Sequence, residues 1–514
     1  LHITRKLAGK TLRQQALFGI VLLLAIIVFR GRSLFTPFSD PTPGLYLHIA
    51  TAWLKGQIPY TTTWDYRPPG YFALYALSIR IFGAALSRDA LAIASLAATA
   101  VAVSLIAARI DVAQKRVVGY FAATFFVLLS PVNDGVAGVA ELQISAFVAW
   151  AIYLALVRPD AIAWTALGGI LTGLAIQCKL SAIPLSIVPM LLVATRSARA
   201  INALIAFAAG FCVPILIDVA VYARFQQLQN LWTSNIGSTI RRAQDNTGGN
   251  EFARNRSNFA KQLFALAPQV EFACFALTKR VNSSRLATVG WTLAALLSIV
   301  VAGEYYERQF VLLSGPVAIL GAIGFLELTE RIRSKGVRQW VYAVVILTSF
   351  ALHDYFETNQ TLAYTLHRIV LRDSRWRLDQ SAELYSDLSC LPKGDNTLYL
   401  IEQNPYLYDL LDEPSPTKYA YSDHLLDPRL SRMADIDGKT ELARILDHTP
   451  DYVVVSGLTD FRYAADRVTL IRHVLTERYT RAYASPQFSI YESNGEKRYQ
   501  TRLPCESATP AASL

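Results

Sequence analysis

Hydrophobic positions fall in long blocks over the first two-thirds of the chain and in short alternating runs after that. Crossing a bilayer takes about 20 apolar residues in a helix, fewer when the segment is buried among others. By that measure the pattern predicts helices near 14–30, 88–108, 117–132, 142–157, 162–177, 181–195, 201–222, 262–278, 286–303, 308–327 and 339–353, about eleven transmembrane helices in all. After a polar, helical connector at 356–390 the period shortens. Leu398–Ile401, Tyr452–Val455 and Phe488–Tyr491 read as strands, and Lys439–His448 and Asp466–Arg478 as helices. The expected fold class is therefore a polytopic α-helical membrane protein, its membrane domain spanning 1–355, with a small α/β domain at 391–502 and a disordered tail at 503–514.

Two long connectors interrupt the apolar blocks. The first, 31–87, contains Leu45–Leu54 and Tyr71–Phe82, apolar but too short to span, which read as helices lying in the interface plane. Between them Pro68-Pro69-Gly70 forbids a continuous helix. The second, 223–261, is rich in Asn, Gln, Thr, Gly and Arg and reads as a mobile external loop, either a lid or a plain connector.

Composition supports two solvents: 53% of residues are hydrophobic and only 17% charged, too few polar groups to coat soluble domains of this length. The net charge of +10 does not mark a nucleic-acid partner, because the cations are spread through short connectors. With the N-terminus cytoplasmic, every inner connector is basic, from Arg109, Lys115 and Arg116 through Arg331, Arg333, Lys335 and Arg338. An odd helix count then places the C-terminal domain outside the plasma (inner) membrane. The apolar run after Arg13 is followed by Arg30-Gly31-Arg32 rather than a small-residue cleavage site, so it reads as a retained helix. Cys178, Cys212 and Cys274 sit in apolar runs, whereas Cys390 and Cys505 lie in the C-terminal part, where a disulfide and two free thiols fit equally.

Ionisable groups at a membrane boundary are costly and mark sites by default. They are densest in the first connector, which reads Asp40-Pro41-Thr42-Pro43-Gly44-Leu45-Tyr46, then Gly56-Gln57-Ile58-Pro59-Tyr60, then Trp64-Asp65-Tyr66-Arg67-Pro68-Pro69. This run resembles the first external loop of the GT-C-fold glycosyltransferases, the protein-mannosyltransferase and aminoarabinose-transferase superfamily. Weaker likenesses follow: Glu141 at the start of a helix, Gly169-x-x-x-Gly173 ending in Lys179, and Arg308 shortly before Pro316. The chain departs from the family pattern at Thr42 and Thr62, where acidic residues are usual.

The resemblance implies an inverting transferase with a polyprenyl-phosphate-linked sugar donor and a lipid, glycan or protein acceptor. A carboxylate serves as general base, Asp40 first and Asp65 second, and Arg67, Lys179 and Arg308 hold the donor phosphate. Glu141, Tyr46, Tyr60 and Trp64 would line the substrate. The resemblance fixes no cofactor and leaves a divalent ion open, which would draw on Asp40, Asp65 and Glu141. Each residue also has a plain structural reading: a helix cap for Asp40 and Glu141, an ion pair for Asp65 with Arg67, and headgroup snorkelling for Lys179 and Arg308. Competing functions are a transporter of lipid-linked saccharide and a non-catalytic envelope assembly protein.

Overall fold

The structure, a computed structural model, describes residues 2–30, 33–34, 40–110, 115–130, 138–245, 257–264, 266–278, 283–303, 305–356, 380–390, 397–458 and 462–494. Two compact units form, each from separate stretches of chain. The first comprises Leu1–Leu34, Asp89–Ile217 and Gly248–Trp376; the second Phe35–Arg88, Asp218–Thr247 and Arg377–Leu514.

The first unit is helical. All eleven segments predicted from hydrophobicity carry helix, and five helices are long and apolar enough to cross a membrane: Ala84–Ile110, Ala140–Val157, Ala200–Arg224, Ser283–Ala302 and Glu307–Thr329. Shorter apolar helices cover Arg13–Phe29, Arg116–Leu129, Ile162–Cys178 and Leu180–Arg196. The last starts as a 3₁₀ turn, Leu180–Ser186, where Pro184 lacks the N–H that an α-helix needs. Val311–Thr329 is buried along nearly its whole length and forms the centre of the unit. Ala200–Arg224 instead exposes Ile201, Ile205, Leu216 and Ile217, a surface suited to hydrocarbon rather than water.

Small residues let these helices touch backbone to backbone. A Cβ at Gly169 would lie 2.0 Å from the Phe207 carbonyl oxygen, at Gly173 2.5 Å from that of Phe211, and at Gly210 2.1 Å from that of Ala166. Helices Ile162–Cys178 and Ala200–Arg224 are thus joined along a glycine seam, where dispersion supplies attraction that the hydrophobic effect cannot supply in lipid. Gly324 plays the same part against Phe272. Charge inside the unit is paired: Arg285 meets Glu327 at 2.6 Å and donates to the Ala276 carbonyl at 3.0 Å.

The second unit contains a four-stranded sheet in the order β1 (Leu398–Ile401), β2 (Tyr452–Val455), β4 (Ser489–Ser493), β3 (Tyr479–Ala484). β1 and β2 are parallel, Leu398 opposite Tyr452 through Ile401 opposite Val455, and buried throughout, which explains why both read as continuous apolar runs. β4 pairs antiparallel with β2 and β3. Helices Gly438–Asp447 and Ala465–Arg478 accompany the sheet; Asp437 caps the first by accepting from the Lys439 amide.

The first connector belongs to this second unit. Helix Pro41–Leu54 is not an interfacial helix with an open apolar face: Leu45, Tyr46, Leu47, Ile49 and Ala50 are all buried, because protein covers them. Helix Pro69–Phe82 does leave Leu77, Ile81 and Phe82 exposed. The polar stretch expected as a mobile loop at 223–261 is helical through Asp245, as Leu228–Trp232, a π-turn Thr233–Gly237 and Ser238–Asp245. Its polar side chains serve as buried hydrogen-bond partners, a use that composition does not reveal. The remainder of that loop to Arg256, most of the connector at 357–379, and the tail lie outside the described residues.

The glycine seam yields a direct test. Gly169→Leu is expected to lower stability by about 3 kcal/mol or more, since overpacking at a rigid backbone contact has no room to relax. Gly290→Ala, with nothing within 4 Å of its added Cβ, is expected to hold or raise the thermal midpoint. Thermal unfolding in detergent separates the two; equal midpoints would contradict the seam.

Candidate functional site in the first connector

The second unit gathers most of the motif residues. Asp65 is 1% exposed; its Oδ1 accepts from the Tyr66 amide at 2.6 Å and its Oδ2 lies 3.0 Å from Arg67 Nη1. The Arg67 guanidinium sits 4.5 Å above the Tyr46 ring and 5.0 Å from that of Tyr66. A buried ion pair survives only when its geometry and hydrogen bonds offset desolvation, and here two π faces and a backbone amide do so. Tyr46 in turn packs edge-on against Tyr71 at 5.0 Å and Tyr75 at 5.7 Å. Arg67 Nε has no hydrogen-bond partner among the described residues.

Backbone strain positions this group. Tyr60 adopts φ 74°, the left-handed region disfavoured for a residue with a Cβ, and its hydroxyl donates to the Arg67 carbonyl. Asn235 donates to the same hydroxyl at 3.1 Å. Trp64 Nε1 donates to Ser234 Oγ at 3.1 Å, and the Trp64 amide to the Lys418 carbonyl at 2.8 Å. The indole packs edge-to-face on His424, centroids 4.9 Å apart, and against Tyr419 at 5.5 Å.

Asp40 has a different setting. It caps helix Pro41–Leu54, its Oδ1 accepting from the Thr42 amide at 2.9 Å, while its Oδ2 carries no hydrogen bond among the described residues. The capping reading is realised through Oδ1. Gly44, in the first turn of the same helix, lies so close to Asn404 that a Cβ there would meet its side chain at 1.8 Å. Half-buried Tyr421 faces this region: desolvation first, then Asp423, with Asp40 adding, hold its phenol protonated. Burial also raises the Asp423 carboxyl, against hydrogen bonds from Tyr421 and Tyr463.

In the first unit Glu141 and Lys179 form a buried pair at 2.7 Å. The ammonium does not snorkel toward headgroups; it neutralises a carboxylate in the first turn of helix Ala140–Val157. Arg308 is half-buried, its guanidinium 5.2 Å from the Tyr306 ring. Among the described residues no three His, Cys, Asp or Glu side chains gather to hold a metal ion. Cys390 is disulfide-bonded, Cys178, Cys212 and Cys274 are free, and Cys505 lies outside the described residues.

Sequence reasoning missed Ser234, Asn235, Asn404, Tyr419 and His424. Each supports the first connector from a stretch 170 or more residues away, and no local spacing signals it. Of these His424 has a titratable consequence. Burial drives its imidazole down to about 4, Arg67 pushing the same way and Asp65 and Asp427 opposing. The unfolded chain therefore binds a proton there that the folded chain does not, between the ordinary histidine value near 6.5 and about 4. Stability from this residue is complete above about pH 6.5 and is lost as the pH falls toward 4, on the order of 3 kcal/mol in total. Thermal midpoints from pH 7 to 4 should fall less steeply in His424→Gln than in the parent; identical slopes would contradict this.

No family model matches the sequence, and no curated protein does. Solved structures do. The chain is similar to ArnT from Cupriavidus metallidurans bound to undecaprenyl phosphate, at 15% identity and a TM-score of 0.61, covering 93% of this chain and 97% of that one. It is similar to the apo state of the same protein at 15% identity and a TM-score of 0.54, covering 94% and 98%. The archaeal oligosaccharyltransferase AglB from Archaeoglobus fulgidus matches at 11% identity and a TM-score of 0.46, over 95% of this chain and 75% of that chain. The near-complete coverage in both directions of the two ArnT structures shows that this chain has their GT-C fold.

Proposed function

We propose that the chain is a multi-pass membrane glycosyltransferase that moves a sugar from a polyprenyl-phosphate donor to an acceptor hydroxyl on the outer face of the membrane. The observation that carries the reading is the Arg67 guanidinium, held by Asp65 and two tyrosine rings on the first connector of a GT-C fold. The likeness to ArnT bound to undecaprenyl phosphate supports the choice of donor.

The acceptor oxygen attacks the anomeric carbon as the bond from that carbon to the phosphate oxygen breaks. Polyprenyl phosphate departs with the electron pair, and the acceptor proton goes to a carboxylate. Asp40 suits that task better than Asp65, because among the described residues its Oδ2 accepts no hydrogen bond whereas both Asp65 oxygens are engaged. Arg67 stabilises the charge developing on the phosphate while Asp65 fixes its orientation; its Nε, buried in this state, has no partner among the described residues. Attack opposite the leaving group inverts the anomeric centre. The five apolar helices and the exposed stripe of helix Pro69–Phe82 suit a prenyl chain and its membrane. The eleven-span topology, with its C-terminal domain outside, belongs to this proposal.

Purified protein in lipid nanodiscs, given polyprenyl-phosphate sugars and a crude envelope acceptor, is expected to release polyprenyl phosphate. Asp40→Asn should lower that rate by about 100-fold or more, the usual worth of a positioned general base. Arg67→Lys should also lose most activity, since an ammonium cannot stack on Tyr46 or pair in the same plane with Asp65. Full turnover by Asp40→Asn would remove it as the base.

A further inference from the structure

The second unit contains a cleft of about 740 Å³, within the roughly 300–1,000 Å³ range of small-molecule sites, that none of the residues discussed as donor-binding occupies. One wall is the Thr61–Thr62 turn of the first connector; the other is the 415–419 stretch and helix Gly438–Asp447. A second hollow of about 480 Å³ shares Ile436 and Asp437 with it and runs on to Arg241 and Gln244. Together they make one groove, polar at its hydroxyls and charged side chains and apolar at Pro416, Tyr419 and Ile436.

Its chemistry is specific in two respects. Six hydroxyl-bearing side chains line the larger cleft; apart from that of Tyr419, each already spends its proton on the protein: Thr61 on the Ile58 carbonyl, Thr62 on Gln57, Ser415 on the Thr417 carbonyl, Thr417 on Glu441, and Thr440 on Asp437. A hydroxyl whose proton is committed presents lone pairs, so this wall asks for a ligand rich in donors. The charges also cancel. Lys418 and Arg444 stand against Asp437 and Glu441, and Arg444 grips Glu441 through two bonds of 2.8 Å. The smaller hollow adds Arg241, Arg432 and Asp435 to the shared Asp437, so the balance holds within the larger cleft and leaves one excess cation toward Arg241. In the larger cleft neither a phosphate nor a cation finds a net field. A peptide backbone brings one donor per residue, whereas each ring of a carbohydrate brings several.

We infer that this groove binds the non-reducing end of a neutral oligosaccharide, which is the acceptor. Its position fits: Lys418 and Tyr419, in the groove wall, hold Trp64 through its amide and its ring, and Trp64 is the neighbour of Asp65. The groove wall and the segment that carries Asp65 and Arg67 are thus fastened together through Trp64. Assignment as the acceptor site rests on the transferase reading; glycan binding itself does not.

The test uses full-length protein in nanodiscs and saturation-transfer NMR with neutral probes (maltohexaose, mannohexaose and arabinohexaose), an acidic probe (oligogalacturonate) and a Ser/Thr-rich peptide. At least one neutral probe should bind, and Thr440→Trp and Thr62→Trp, both at exposed positions, should weaken it 10-fold or more without moving the thermal midpoint. Binding that survives both substitutions, preference for the acidic probe or the peptide, or failure of all neutral probes would overturn the inference. Polyprenyl-phosphate release, measured in parallel, separates the two ideas: glycan bound in the groove without any donor turnover refutes the transferase role and leaves the carbohydrate site standing, whereas donor turnover without glycan binding refutes the groove alone.

Discussion

A guanidinium taken out of water is tolerable only with a carboxylate at hand, and the Arg67–Asp65 pair is the constraint around which the second unit is arranged. Removing either partner would strand the other charge at a cost of about 3–5 kcal/mol. The surroundings answer that threat. Tyr46 and Tyr66 face the cation, the Tyr66 amide holds the anion, and the strained Tyr60 ties its hydroxyl to the Arg67 carbonyl. Asn235, Ser234, Lys418 and His424 then hold the tyrosine and the tryptophan on either side. The result is a cation fixed in place before any ligand arrives, which is what stabilisation of a developing phosphate charge requires.

The same economy of charge governs the helical unit. Glu141 with Lys179 and Arg285 with Glu327 are each paired where lone ions in hydrocarbon would be prohibitive. Apolar packing there relies on glycine rather than on bulky side chains, as the contacts of Gly169, Gly173, Gly210 and Gly324 with carbonyl oxygens show. Gly169-x-x-x-Gly173 thus has a mechanical role independent of any motif.

Much of this was legible because the signals are local. Apolar blocks marked the helices, and the sequence cluster from Tyr46 to Arg67 is also a spatial cluster: Tyr46, Tyr60, Trp64, Asp65 and Arg67 share one network. What stayed hidden is long-range. His424 reaches Trp64, Asn404 reaches Asp40, and Asp409 meets His48 at 2.6 Å, all across hundreds of residues. Polar composition misled at 228–245, where Ser234 and Asn235 are buried partners on a helix rather than solvated loop residues. β3 escaped because Tyr479–Ala484 follows helix Ala465–Arg478 without a breaker and buries only Tyr479 fully. The order of preference, Asp40 before Asp65, came from the sequence likeness; the coordinates add only that both Asp65 oxygens are hydrogen-bonded whereas, among the described residues, one Asp40 oxygen is.

The central claim is that Arg67 receives the donor phosphate with Asp40 on the sugar side. Cryo-electron microscopy of the protein with a non-transferable polyprenyl-phosphonate sugar tests it most directly. The account predicts phosphonate density against the Nε edge of the Arg67 guanidinium, uncovered by the ligand's entry, and the anomeric carbon turned toward Asp40 Oδ2. Phosphonate bound elsewhere, with Arg67 still sealed between its tyrosines and Asp65, would contradict it.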